Sequence, residues 1–83
     1  MQPSSRESIE KRLIEELATI LGRELQADDV ARPLHELGVD SMSLVELLVA
    51  VEKEFGIRLL ELGVTSADLQ TVRNLAAAIH REG

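Results

Sequence analysis

The chain has no cysteine, tryptophan or tyrosine and a single phenylalanine, Phe55. Without cysteine there is no disulfide framework, no thiolate zinc site and no cysteine nucleophile. If this protein works through a thiol, the thiol has to be added after synthesis. Near-absence of aromatics alongside 45% hydrophobic residues leaves a core of Leu, Ile, Val and Ala, which favours helices over sheets. Prolines number two, and no stretch approaches the roughly 20 apolar residues of a membrane span or the apolar run of a signal peptide. Nine basic against fifteen acidic residues give a formal charge of −6, which disfavours nucleic acid and suits partners with basic surfaces.

What is present is one 83-residue domain with an economical core and no room for a large catalytic cavity. Ser4 and Glu7 have the spacing of a capping box, and Ile9, Leu13, Leu17, Ile20 and Leu21 follow at helical intervals. They predict a first helix over about 5–22, stopped at Gly22. From Arg23 to Val39 the periodicity breaks down, and so long a connection must be tied down by its own apolar residues, Leu25, Val30, Leu34 and Leu37. Asp28 and Asp29 within it lack the ligand spacing of an EF-hand loop and read as solvated turn residues.

A second helix is predicted over 41–55. Leu44, Leu47, Leu48, Val51 and Phe55 form its core stripe. Met42, Val45 and Val49 form a second apolar strip beside Glu46 and Lys53, either packed under the long loop or left open as a docking site. Gly56 ends this helix, and Ile57, Leu59 and Leu60 return over the core. Thr65 or Ser66 caps a short helix over 66–70 anchored by Leu69, and Thr71 caps a last helix over 72–81 with Val72, Leu75, Ala76 and Ile79 inward. The expected fold is an all-α four-helix bundle with a short third helix, a single domain over 1–83.

The stretch around which the rest is organised is Leu37-Gly38-Val39-Asp40-Ser41-Met42. Gly38 is free of Cβ constraint, Asp40 is a preferred N-cap, and Ser41 then stands in the first helical turn. A hydroxyl there sits beside backbone N–H groups and a dipole that favour a phosphate. His35 and His80 have no second ligand at metal-site spacing and are given no chemistry. No nucleophile–base pair or metal set is evident, so the chain reads as a non-catalyst.

Gly38-Val39-Asp40-Ser41-Met42, preceded by Leu34 and Leu37 and followed by Val45, Glu46, Leu47, Glu52 and Phe55, resembles the attachment region of acyl carrier proteins and peptidyl carrier domains, and the likeness extends over about 5–81. The resemblance implies a carrier that is not itself an enzyme. Ser41 would bear 4′-phosphopantetheine, donated from coenzyme A by a phosphopantetheinyl transferase with Mg²⁺. Asp40 would chiefly cap the helix, with metal contact during transfer a lesser role or none. Met42, Val45, Glu46, Val49 and Glu52 would form the partner face.

An acyl or aminoacyl group would ride as a thioester between a loading ligase or transferase and ketosynthase or condensation enzymes, in the cytoplasm and on a monomer. Ser43 and Lys53 stand where bacterial fatty-acid carriers often have acids, and Leu59–Thr65 is longer than in those proteins. Both features point toward polyketide or nonribosomal peptide biosynthesis rather than fatty acid biosynthesis. The Met1 start and the lack of a Pro/Ser-rich linker lead to the expectation of a freestanding protein. Two other readings stay open: a helical protein–protein interaction module, or a small regulatory subunit without a prosthetic group.

Overall fold

In the computed structural model, which describes residues 5–82 and only the backbone of Leu60, Leu62 and Glu82, the chain is all-helical. Three α-helices, α1 (Arg6–Leu21), α2 (Ser41–Phe55) and α3 (Val72–Glu82), are joined by 3-10 turns at Ala27–Ala31, Leu34–Leu37 and Leu59–Leu62. The predicted helical spacing of α1 holds: Ile9, Leu13 and Leu17 are buried. Its cap differs from the expected Ser4–Glu7 box. Ser4 lies outside the described residues, and Ser5 is the N-cap, accepting from the Ser8 N–H at 3.1 Å. Gly22 ends α1 at φ 70°, a left-handed turn that lets its N–H close back on the Ala18 carbonyl.

The long connection is held down as its apolar spacing predicts, with Val30, Leu34 and Leu37 buried and Leu25 packed partly against them. It is built from two 3-10 turns rather than an irregular loop. Asp29 departs from the solvated reading: it is buried, takes the Gln26 N–H on its carboxylate at 2.7 Å, and faces Arg32 at 3.6 Å. A buried carboxylate is tolerated when so paired.

The four-helix expectation is corrected at one element. Residues 66–69 form a hydrogen-bonded turn, not a helix. The Thr65 cap is real: its Oγ1 accepts from the Asp68 N–H at 3.3 Å while the Asp68 carboxylate accepts from the Thr65 N–H at 3.0 Å. The following bonds span only three residues, Leu69 N–H to Ser66 and Gln70 N–H to Ala67. The next cap arrives at once, Thr71 Oγ1 accepting from the Asn74 N–H at 3.0 Å. Two caps six residues apart leave no length for an α-helical turn to propagate.

The α3 stripe of Val72, Leu75, Ala76 and Ile79 is buried as expected. α1 packs on both α2 and α3, and the Ala27–Ala31 turn packs on α1 and α3. From α2, Leu47 and Val51 enter this core fully, with Leu44, Leu48 and Phe55 half-buried beside them. Leu59 closes the core and Ile57 packs on it. The side chain expected at Leu60 lies outside the described residues.

Candidate functional site

The site starts from the way the chain enters α2. The Leu34–Leu37 turn ends at Gly38, whose φ of 96° falls where side-chain-bearing residues are strained. Gly38 donates its N–H to the His35 and Leu34 carbonyls, and Val39 donates to Leu34 at 3.1 Å. The chain leaves this tight reversal extended. Asp40, the N-cap of α2, then accepts the Ser43 N–H on Oδ1 at 2.8 Å, and its carbonyl takes the Leu44 N–H. The hydrogen bond from the Ser43 backbone, seconded by the Ser43 side chain, holds the Asp40 carboxyl below its ordinary pKa.

Ser41 follows as the first residue of α2, exposed, at the positive end of a 15-residue helix. It lies at the edge of a cleft of about 490 Å³ between the Leu34–Leu37 turn, the start of α2 and the turn before α3. Leu34, Val39, Leu44 and Leu69 give the cleft apolar walls, and Gln70 and Thr71 give it a polar side. The Leu34 N–H donates to the Gln70 carbonyl at 2.8 Å, joining the two segments that border it. An accessible hydroxyl beside helix N–H groups and a partly apolar cleft fits a phosphodiester-linked arm in charge, access and room.

His35, given no chemistry from sequence, lines the same cleft as Ser41. No hydrogen bond joins them among the described residues. Gln70, Thr71 and His35 were missed because nothing in their spacing shows that the turn before α3 closes against the Leu34–Leu37 turn. His80 is exposed in the last turn of α3.

Along α2 the second strip is open: Met42, Val45 and Val49 are 72%, 57% and 48% exposed. Among the described residues they are the large hydrophobic side chains left on the surface, and they stand in one row along the helix. Val45 and Val49 border a shallow depression of about 360 Å³ together with Ile20, Glu46 and Lys53. Ile20 sits on the core side of α1 by its spacing, yet it lines this depression. In a terminal turn, helical periodicity does not separate core from edge. Asp40 and Glu46 are exposed, Glu52 is half-buried, and neither Glu46 nor Lys53 has an ion-pair partner among the described residues.

Among the described residues no three His, Asp or Glu side chains are grouped to hold a metal ion, and no helix is long and apolar enough to cross a membrane.

Two acyl carrier proteins of Rickettsia bellii are similar to this chain. That of strain RML369-C is 38% identical over 52 residues, 61% of this chain and 60% of its own. That of strain OSU 85-389 is 38% identical over 52 residues, with 64% of its own length matched. In both cases the match spans under two thirds of the relative. No solved structure matches the chain significantly. Residues 11–79, which include the turn, Ser41 and all of α2, match the family described as phosphopantetheine attachment site. The chain belongs to that phosphopantetheine-binding carrier family, whose prosthetic group is covalently attached 4′-phosphopantetheine.

Proposed function

We propose that this protein is an acyl carrier whose Ser41 is the attachment residue. The observation that carries the reading is the exposed Ser41 hydroxyl at the start of α2, on the rim of a cleft and at the head of an open apolar strip. Ser41 Oγ acts as the nucleophile on the coenzyme A pyrophosphate. The new bond is Oγ–P, the nucleotide half of coenzyme A leaves, and the serine proton passes to a base of the transferase. That enzyme also supplies Mg²⁺ and with it the charge neutralisation the transfer needs. When bound, the group supplies a terminal thiol on a flexible arm, which holds an acyl or aminoacyl unit as a thioester.

The chain's own residues do three things. Asp40 fixes the start of α2 through Ser43 and is close enough in sequence to approach the metal during transfer. The helix N-terminus stabilises the phosphodiester's charge. Met42, Val45 and Val49, flanked by Asp40, Glu46 and Glu52, give loading ligases or transferases and ketosynthase or condensation enzymes a surface to recognise. Rim charges there set orientation and association rate more than affinity, which suits brief visits to several enzymes. Tethering raises the cargo's effective concentration at each visit.

The protein is on this reading a cytoplasmic monomer that carries and does not catalyse. Exposed Lys53 at the far end of the strip, and Ser43 near its start, make the face less acidic and support a specialised polyketide or peptide-like pathway over fatty-acid synthesis.

The test is incubation with coenzyme A, Mg²⁺ and a promiscuous phosphopantetheinyl transferase, followed by intact mass. The expected result is a gain of one phosphopantetheine that disappears in Ser41→Ala. No gain beside a competent control carrier, or a gain that persists in Ser41→Ala, overturns the assignment and returns the chain to an interaction module or regulatory subunit.

A further inference from the structure

Arginines in this acidic chain pair with carboxylates: Arg6 with Glu10, Arg12 with Glu15 and Glu54, Arg32 with Asp29 and Glu36, Arg58 with Glu61, Arg73 with Glu10, and Arg81 with Asp68. Arg23 is the exception among the described residues. Its guanidinium crosses from the end of α1 and donates to the Leu37 backbone carbonyl at 2.6 Å, a half-buried bond spanning 14 residues.

The acceptor is placed where it matters. Leu37 is the last residue of its 3-10 turn, and its side chain is fixed in the core at 2% exposure. The next residue, Gly38, reverses the chain at φ 96°, and Ser41 follows three residues later. The carbonyls of Leu34 and His35 are taken by Val39 and Gly38, so the turn satisfies those two internally. Leu37 sits at the negative end of the turn and finds a cation there, which is the favourable partner for such an end. A hydrogen bond from a charged donor is stronger and shorter than a neutral one, and this one is short.

Arg23 is itself anchored. Its N–H closes on the Ala18 carbonyl at 3.1 Å just past the Gly22 stop, so the guanidinium projects from a fixed point of α1.

We infer that Arg23 is a positioning residue for Ser41: by holding the Leu37 carbonyl it fixes the plane of the peptide that leads into Gly38, and with it the direction in which the attachment loop delivers the serine hydroxyl. The inference rests on the assignment of Ser41 as the attachment residue. Arg23 lines neither the cleft at Ser41 nor the depression beside Val45 and Val49, so its loss leaves recognition intact and blurs the alignment of Oγ with the phosphorus it attacks. Misplacement of a reacting atom lowers turnover steeply even when binding is preserved.

The experiment compares wild type, Arg23→Gln, Arg23→Lys and Arg12→Gln as substrates of a promiscuous phosphopantetheinyl transferase with coenzyme A and Mg²⁺. Carrier concentration is varied and melting temperature recorded, and amide exchange is followed at Gly38 and Val39, whose N–H groups are bonded within the turn. Arg23→Gln is expected to lower kcat by about tenfold with KM within about twofold, and to speed exchange at those amides while the core amides keep their protection. Arg23→Lys recovers part of the kcat, because its ammonium still donates to a carbonyl without the guanidinium's fixed planar geometry. Arg12→Gln, which breaks the Arg12–Glu15 pair within α1 and the Arg12–Glu54 pair between α1 and α2, keeps wild-type kcat.

An unchanged kcat in Arg23→Gln with unchanged exchange overturns the inference, as does a loss shared equally by Arg12→Gln. Wild type that is not modified at all refutes instead the assignment of Ser41, so the two failures are told apart.

Discussion

Replacing Val45 by arginine separates the two faces of α2 in one experiment. The residue is 57% exposed, two positions from Leu47, which is wholly buried. Full burial of a valine stabilises by roughly 1.5 kcal/mol at the low end of the range, so docking that covers the exposed part of Val45 gains about 1 kcal/mol. Its removal alone weakens association about fivefold. Arginine adds an unpaired cation facing partner surfaces that the acidic groups along this face select to be basic, and we expect KM for the transferase to rise at least about tenfold.

Folding should barely respond. Surface substitutions stay within about 0.5 kcal/mol, which in a domain of this size moves the melting temperature by about 2–4 °C. The assay pairs thermal melts by circular dichroism with mass-spectrometric modification rates over a range of carrier concentrations. Loss of a cooperative melt would mean that Val45 is a core residue and that the strip is not a surface. A normal melt with KM unchanged would leave the strip exposed but idle, and the docking face would have to be sought elsewhere.

Three further outcomes follow from the same geometry. Leu47→Ala, at the buried side of the helix, should cost about 2–5 kcal/mol in urea unfolding, a large share of the stability of so small a domain. A cost below 1 kcal/mol would contradict its place in the core. Gly38→Ala meets no neighbouring atom, so its expected cost of about 1 kcal/mol is backbone strain at φ 96° alone, and an unchanged urea midpoint would show the loop relaxing to another conformation. The Asp40 carboxyl, held below its ordinary pKa by the Ser43 N–H, contributes stability that is present above the unfolded pKa of about 3.9 and is lost as pH falls through the lower folded value. Asp40→Ala should therefore be less stable at neutral pH and lose less on acidification, and parallel acid-limb denaturation curves for the two proteins would remove Asp40 from that role.

How much of this was legible depends on the kind of interaction concerned. Ile9, Leu13 and Leu17, or Leu47 and Val51, announce themselves because a helix repeats its core side every three to four residues. The open strip of Met42, Val45 and Val49 was visible for the complementary reason, since one helix carried more apolar residues than one buried side uses. The loops were harder. Nothing in Thr65-Ser66-Ala67-Asp68 distinguishes a cap that starts a helix from one that closes a single turn, and the outcome depended on Thr71 starting α3 too soon after it. Asp29 looked identical to Asp28, but one is buried with its own backbone partner and the other is exposed. Ser41 and its cap Asp40 were readable locally. The Arg23 bond to Leu37 and the arrival of His35, Gln70 and Thr71 beside the serine depend on how distant segments meet.

The bond from the Leu34 amide to the Gln70 carbonyl has a mechanical consequence. It works as a clasp across the two walls of the cleft, and neither wall can swing away from the other while it stays shut. If Ser41 bears the arm as proposed, a cargo too bulky for the space beside that serine must unfasten the clasp or remain outside in water. Widening the space between the two walls therefore means breaking one main-chain link.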